Sequence, residues 1–365
     1  MPLPAPQDLW NGLPDEARAL LRRLRLLAGP WPRLALVGGA VRDLLLGQGS
    51  DSPDLDVVLE RGDVEGLARA LGVPFSFHPA YGNATLHLPG GRYADLVSAR
   101  RESYPVAGGA PLPVAGSLED DLARRDFTVN TAALEVLPDG ELRLLSVPGM
   151  PADLETRRLR PLHALSFIDD ASRLVRGARL AARLNLKAHS ELLAQVPAAL
   201  EVAARTPRLA SELRLLLDEP RPGRAARVLA DWGAASLLPT GAADLLERLD
   251  ALPEPKPRTL YAAALLSLGR PEALAALELG QRPAELLARA LSGSVFAPRS
   301  PETTLQTLLG LSLPYTPLQG RDLLELGLKT GPEVGRMLAW LAGERRNGRF
   351  SSAQGEREAV LERMR

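Results

Sequence analysis

The chain contains no cysteine, which excludes a disulfide framework and a thiolate metal site. Its four histidines, His78, His87, His163 and His189, are scattered, which argues against a zinc centre and leaves magnesium with oxygen ligands as the metal chemistry available. Lysine is almost missing, with only Lys187, Lys256 and Lys329 among 44 basic residues; a GC-rich genome produces such a bias, and we read no function from it. Net charge is missing too, since 44 acidic residues balance the 44 basic ones. That balance argues against a chain that coats nucleic acid indiscriminately and permits a local basic groove. No apolar run approaches the roughly 20 residues of a membrane span. The opening MPLPAPQDLW lacks the basic-then-apolar layout of a signal peptide. The expectation is a cytoplasmic protein with no membrane partner.

What is present centres on Leu34 to Val58, LALVGGAVRDLLLGQGSDSPDLDVV. An apolar run of strand length, Leu34 to Val37, ends on Gly38-Gly39, where missing side chains let backbone N–H groups approach an anion. Ala40 to Leu46 has helical spacing, would point its positive end at the same place, and carries Arg42 in its first turn as a charged clamp. After a Gly/Ser/Pro loop comes Asp54-Leu55-Asp56-Val57-Val58. Alternate strand residues share a face, so Asp54 and Asp56 point together. Two such carboxylates repel unless a cation lies between them, and hard oxygens beside a phosphate site suit Mg²⁺ for phosphoryl or nucleotidyl transfer.

These residues resemble motif A of the class II tRNA nucleotidyltransferases, the CCA-adding enzymes and their bacterial poly(A) polymerase relatives. The resemblance continues. Arg124-Arg125-Asp126-Phe127-Thr128-Val129-Asn130 is similar to motif B, in which Arg125 can hold triphosphate and Asp126 can accept a hydrogen bond from a ribose 2′-OH. Phe167 to Leu184, FIDDASRLVRGARLAARL, resembles motif D, with Asp169 in place of the usual Glu. At about 100° per residue from Asp170, Leu174, Val175, Ala178 and Ala182 gather on one side and Arg173, Arg176, Arg179 and Arg183 on the other. Asp170 and Arg173 are then neighbours that could read a nucleobase edge, while Arg176 and Arg179 reach phosphates. Leu142 to Leu159 corresponds to motif C and departs from it, because Ser146 and Met150 replace an Asp and a Gly while Arg157 is retained.

The remaining segments give plainer readings. Asp8 to Leu27 has the spacing of a leading helix. The alternation after Leu71 suggests strands, where His78 and His87 read as polar strand residues rather than ligands and Asp95 as a possible third carboxylate. Glu102 to Gly116 is dense in Gly, Pro and Ala and reads as a loop. Its position matches the family's flexible loop, which helps A-competent members accept ATP and is largely deleted in CC-adding enzymes. Ser117 caps a helix with early acids. Between Pro151 and Ser190 eight basic residues face four acidic ones, a net of +4, and Arg345, Arg346 and Arg349 repeat the bias. From Thr206 onward Leu/Ala-rich helices are punctuated by Pro and Gly, and no His-Asp doublet marks a phosphohydrolase domain.

The expected fold is α+β. It has a polymerase-β-type nucleotidyltransferase head at 1–140 with a five-stranded mixed sheet, then an all-α neck at 141–205, body at 206–272 and tRNA-binding tail at 273–365. The resemblance implies Mg²⁺ on Asp54 and Asp56, and tRNA with CTP and ATP as partners, no DNA being expected. The implied activity is addition of CMP, AMP or both to the tRNA 3′ end without a nucleic-acid template. Gly38, Gly39, Arg42, Arg125, Arg176 and Arg179 would hold the nucleotide, Asp126 its ribose, and Asp170 with Arg173 its base. The alternatives are a CC-adding enzyme, a bacterial poly(A) polymerase and an inactive tRNA-binding protein.

Overall fold

The computed structural model describes residues 3–48, 54–253, 256–269, 277, 279–292, 294–311, 316–346, 349–350 and 352–364, with Asp54 and Arg346 described by backbone alone. The loop expected ahead of Asp54 falls largely at 49–53, outside the described residues. The chain divides into two compact units, Met1–Leu209 and Ala210–Arg365. The expected head and neck fall in the first, and almost all of the expected body and tail in the second.

The leading segment is not one helix but two, α1 (Pro6–Asn11) and α2 (Asp15–Ala28), because Gly12 and Pro14 interrupt the spacing. Then follow β1 (Arg33–Val37), α3 (Gly39–Leu45), β2 (Asp54–Glu60), α4 (Val64–Leu71), β3 (Phe75–His78), β4 (Asn83–Leu88) and β5 (Arg92–Ser98). After them come β6 (Arg100–Ser103), β7 (Leu112–Ala115), α5 (Leu118–Ala123), β8 (Ala133–Val136) and β9 (Leu142–Leu145). The sheet has seven strands rather than five, in the order β3-β4-β5-β2-β1-β8-β9, and β2 with β5 is its parallel pair. The excess over the sequence reading includes β9. Its Leu-Arg-Leu-Leu string is a strand because the turn around Gly140 folds it back on β8.

Each sheet face is covered differently. Leu55, Val57, Leu86, Ala94 and Leu96 are buried on the face against which α4 packs Val64, Leu67 and Ala68. On the other face Ala35, Val37, Val58 and Ala133 cluster with Leu118 and Leu122 of α5. Helix α5 carries the expected Ser117 cap, here closed into a capping box: Ser117 Oγ accepts the Asp120 N–H at 3.1 Å and Asp120 returns a carboxylate oxygen to the Ser117 N–H at 2.9 Å.

Two expectations change in the remainder of this unit. Residues 102–116 are not an open loop, because β6 and β7 pair as an antiparallel hairpin with Pro113 opposite Glu102. A two-stranded ribbon tolerates that proline because one side of each strand needs no donor. The neck is not all-α either: besides α6 (Met150–Glu155), α7 (Ser166–Asp169), α8 (Ser172–Leu184) and α9 (Ser190–Val202) it holds β9 and a short parallel pair, β10 (Arg158–Leu159) with β11 (Lys187–Ala188).

The second unit is helical throughout its described elements, from Leu209–Leu216 at the boundary to Ala353–Met364. Its last helices enclose a core of Leu318, Leu323, Leu328, Met337, Leu341, Phe350 and Val360. Part of the basic bias near the end is internal, since Arg345 is buried on Glu356 with Nε and Nη2 2.5 and 2.6 Å from its carboxylate. Among the described residues no helix is long and apolar enough to cross a membrane.

Candidate active site

The carboxylates gather where three strands run side by side. Asp56 pairs in register with Asp95 of β5, and Asp95 in turn with Thr85 of β4, whose hydroxyl donates to Asp95 Oδ1 at 2.7 Å. Registered neighbours share a face, so Asp95 joins Asp56, as the sequence allowed. Asp54 stands two residues earlier on β2, opposite Tyr93.

Beside Asp56 the chain leaves β1 through Gly38, whose φ of +73° lies in the region that favours glycine. A side chain there would meet its neighbours: a Cβ on Gly38 would lie 2.8 Å from Arg125 Nη1 and 3.4 Å from Asp56 Oδ2. The Gly38 N–H, expected to face an anion, donates instead to the Ala132 carbonyl at 3.2 Å. Gly38 therefore serves by leaving room, while Gly39 opens α3 next to the Arg42 guanidinium.

Arg125 reaches this point because α5 is anchored at both ends. At its start Glu60 of β2 accepts the Leu118 N–H at 2.9 Å, and Arg33 bridges Glu60 and Glu119. At its end the fully buried Asp121 takes Arg124 at 2.6 Å and Arg125 Nη2 at 3.0 Å. The Arg125 Nε is buried without a hydrogen-bond partner among the described residues.

Arg42 is not an open clamp. Only 5% exposed, it bonds Asp43 at 2.8 Å and Asn130 Oδ1 at 2.6 Å, because the first turn of α3 faces the short 3₁₀ turn Thr128–Asn130 rather than solvent. Asn130 passes the contact on, donating to Asp126 Oδ1 at 2.9 Å, where the Phe127 N–H also donates at 2.8 Å. Arg176 of α8 approaches Asp126 Oδ2 at 3.5 Å. Burial alone would raise the Asp126 carboxyl, but Arg176, the Asn130 amide, Arg173 and the Phe127 N–H hold it below the ordinary carboxylate value.

Motif B and α8 are also packed together. A Cβ on Gly177 would lie 2.7 Å from Phe127 Cζ, and Phe127 meets Phe167 edge to face at 6.2 Å. Such an aromatic pair adds about 0.5–1.5 kcal/mol beyond burial. In the motif C region, Thr128 Oγ1 donates to the buried Asp153 at 2.7 Å and Arg160 grips the same carboxylate. The junction runs through Asp153 and Arg160, two residues that the spacing of Ser146, Met150 and Arg157 did not single out.

The template pair is arranged differently from a helical wheel. Asp170 precedes α8 with extended dihedrals, and its Oδ1 accepts the Ser172 N–H at 3.0 Å and the Ser172 hydroxyl at 2.5 Å. Its Oδ2 takes Arg208 Nη2 at 2.6 Å. Arg173, expected on the exposed cationic side, is 7% exposed and donates to Ser166 Oγ at 2.9 Å, the Arg124 carbonyl at 3.1 Å and the Tyr104 hydroxyl at 3.3 Å. Arg176 and Arg183 remain exposed and Arg179 is half-buried, as a cationic side requires. Asp169 sits apart, 3.9 Å from His163, with burial pushing its carboxyl up.

Tyr104 comes from the β6–β7 hairpin, and Glu102 holds its hydroxyl at 3.1 Å. The hairpin tip is fixed to the neck, since the Gly108 N–H donates to the Ile168 carbonyl at 2.7 Å. Tyr104, Arg208, Asp121 and Asp153 received no role in the sequence reading, and Asn130 was named there as the last residue of motif B without one. Only Asp121 carried a local signal, three and four residues ahead of the two arginines on one helix face.

Comparisons with known proteins identify the chain's relatives. Residues 34–160 match the family described as the poly A polymerase head domain. A CC-adding tRNA nucleotidyltransferase of Deinococcus radiodurans is 55% identical over 99% of this chain and 97% of that protein. An A-adding tRNA nucleotidyltransferase of Aquifex aeolicus is 39% identical over 52% of this chain and 23% of that protein. The Thermotoga maritima CCA-adding enzyme, solved in complex with tRNA, superposes with a TM-score of 0.64 at 22% identity, covering 100% of both chains, and so shares the fold.

Proposed function

We propose that this chain, which belongs to the tRNA nucleotidyltransferase family, adds CMP from CTP to the 3′ end of tRNA without a nucleic-acid template. The chemistry rests on one observation: Gly38 leaves the space in which the Arg125 guanidinium and the Asp56 carboxylate come together. The preference for CMP rests on the 55% identity to a CC-adding relative along nearly the whole of both chains.

The donor set suits a divalent ion, because Asp56 and Asp95 bring hard carboxylate oxygens together on adjacent strands, with Asp54 two residues before Asp56. Asp54 and Asp56 would hold Mg²⁺, with Asp95 beside them; the ion would offset triphosphate charge and favour the attacking alkoxide. The chain's own groups do the rest. Arg125, with Arg176 and Arg179, binds phosphate oxygens, and Asp126 accepts the ribose 2′-OH. Arg42 acts on Asp126 through Asn130 as a positioning residue. Asp170 and Arg173 supply an acceptor and a donor for the base. The tRNA 3′-OH attacks the α-phosphorus, the bond to the bridging oxygen of pyrophosphate breaks, and pyrophosphate leaves. An activity on tRNA fits a cytoplasmic location.

Addition of AMP as well is a second reading, favoured by the retained segment 102–116 with its folded hairpin. Incubation with tRNA ending at the discriminator base, at C or at CC, with CTP and ATP supplied separately, tests both. CMP is expected on the first two acceptors and nothing on the third. AMP on CC-ended tRNA would establish the second reading, and no incorporation from either nucleotide would remove both.

A further inference from the structure

The two faces of the outer sheet differ. On one, Phe75, Phe77, Ala84, Leu86, Ala94 and Leu96 are buried or half-buried towards α4. On the other, the face of Asp56, the strands present Asp95 and Tyr93 of β5, Thr85 and His87 of β4, and Ser76 of β3. Tyr93, His87 and Ser76 are exposed, Tyr93 at 46%. Tyr93 and His87 are register partners whose rings meet edge to face at 5.3 Å, and Ser76 Oγ lies 3.1 Å from His87 Nε2.

We infer that this face of β5, β4 and β3 seats the single-stranded 3′ end of the RNA acceptor, with Tyr93 and His87 as its stacking surface. The inference rests on the nucleotidyl-transfer reading and supplies its second substrate site. In phosphoryl transfer the attacking and leaving oxygens lie roughly in line on opposite sides of phosphorus. The groups assigned to the nucleotide, Gly38, Arg125, Asp126 and Arg176, stand on the β1 and α5 side of β2. The other neighbour of β2 is β5, so the 3′-OH arrives over Asp95 and Tyr93. Carboxylates at that place disfavour a phosphate clamp and favour holding the RNA by its bases. Stacking tolerates any base, as an acceptor whose terminal base varies among tRNAs requires.

The test uses the full chain and a tRNA whose 3′-terminal base is 2-aminopurine, which loses fluorescence when stacked. Quenching is expected with the unaltered protein and with Tyr93→Phe, and its loss with Tyr93→Ala; His87→Ala reduces it in part. In CMP addition, Tyr93→Ala is expected to raise KM for tRNA about tenfold, the scale of one lost base stack, while Kd for CTP measured without tRNA stays unchanged. That unchanged Kd also shows the variant folded. Equal quenching by all variants, or a CTP affinity that falls with tRNA affinity, would overturn the inference. Tyr93-dependent quenching in a protein that adds no nucleotide would instead remove the transfer reading and leave the RNA surface standing.

Discussion

Arg208 holds Asp170 by the carboxylate oxygen that a nucleobase would need: its Nη2 stands 2.6 Å from Oδ2, while Oδ1 is committed to Ser172. Ser172 orients Asp170 without help, and the Arg208 side chain is half exposed, so it can swing away while the buried carboxylate stays. Arg208→Ala is therefore expected to tighten CTP binding about three- to tenfold with kcat unchanged, because no guanidinium has to be displaced first. Titration calorimetry of the nucleotide complex measures this. Weaker binding would make Arg208 a support of the template rather than a competitor for it.

The shared face of Asp56 and Asp95 leads to a second expectation. Asp54→Ala and Asp56→Ala each reduce transfer to background and leave tRNA affinity within about twofold, since neither group is asked to bind RNA. Full activity in either variant, measured by incorporation of labelled CMP, would remove the metal assignment.

Asp126 has a chemical role and an electrostatic one. Asp126→Ala is expected to relax discrimination against dCTP, read as the ratio of kcat/KM for CTP and dCTP, because the acceptor for the 2′-OH is gone. Its carboxyl is held below the ordinary 3.8, so the ionised form stabilises the fold above that value and the contribution is lost as pH falls through the depressed value. Asp126→Asn should flatten the loss of stability below about pH 4 in acid unfolding followed by circular dichroism. An unchanged acid limb would mean that Asn130 and Arg176 do not favour the charged form.

The two sets of residues around α8 should separate in nucleotide profile. Arg173→Ala or Asp170→Ala is expected to let UTP or GTP compete with the correct nucleotide, each lost polar contact relaxing discrimination by about 1–3 kcal/mol. Arg176→Ala or Arg179→Ala weakens every nucleotide alike. Arg173 is also buried among Ser166, Tyr104 and the Arg124 carbonyl, so its loss lowers the melting temperature more than loss of the exposed Arg176, whose 3.5 Å approach to Asp126 is the longer contact. Identical profiles for both sets would reduce α8 to a basic surface beside the nucleotide.

Local spacing alone determined a good part of this protein. The D-x-D on a period-two strand, the glycines after β1, the Ser117 cap and the amphipathic α8 each depend on residues a few positions apart, and such patterns survive in any fold that pairs or packs them. Tertiary structure decided the rest. Asp95 stands beside Asp56 through the register of β2 with β5, and Leu142–Leu145 is a strand through its pairing with β8. Arg42 looks like a phosphate clamp by position, yet it is buried and donates to Asn130, and Arg173, placed by its spacing on an exposed side, is buried and donates to Ser166 and to the Arg124 carbonyl. Asp170 ends on Arg208, and Tyr104 lies between Arg173 and Arg208, because a buried charge must find partners wherever the chain brings them, and sequence spacing does not encode which segment that is.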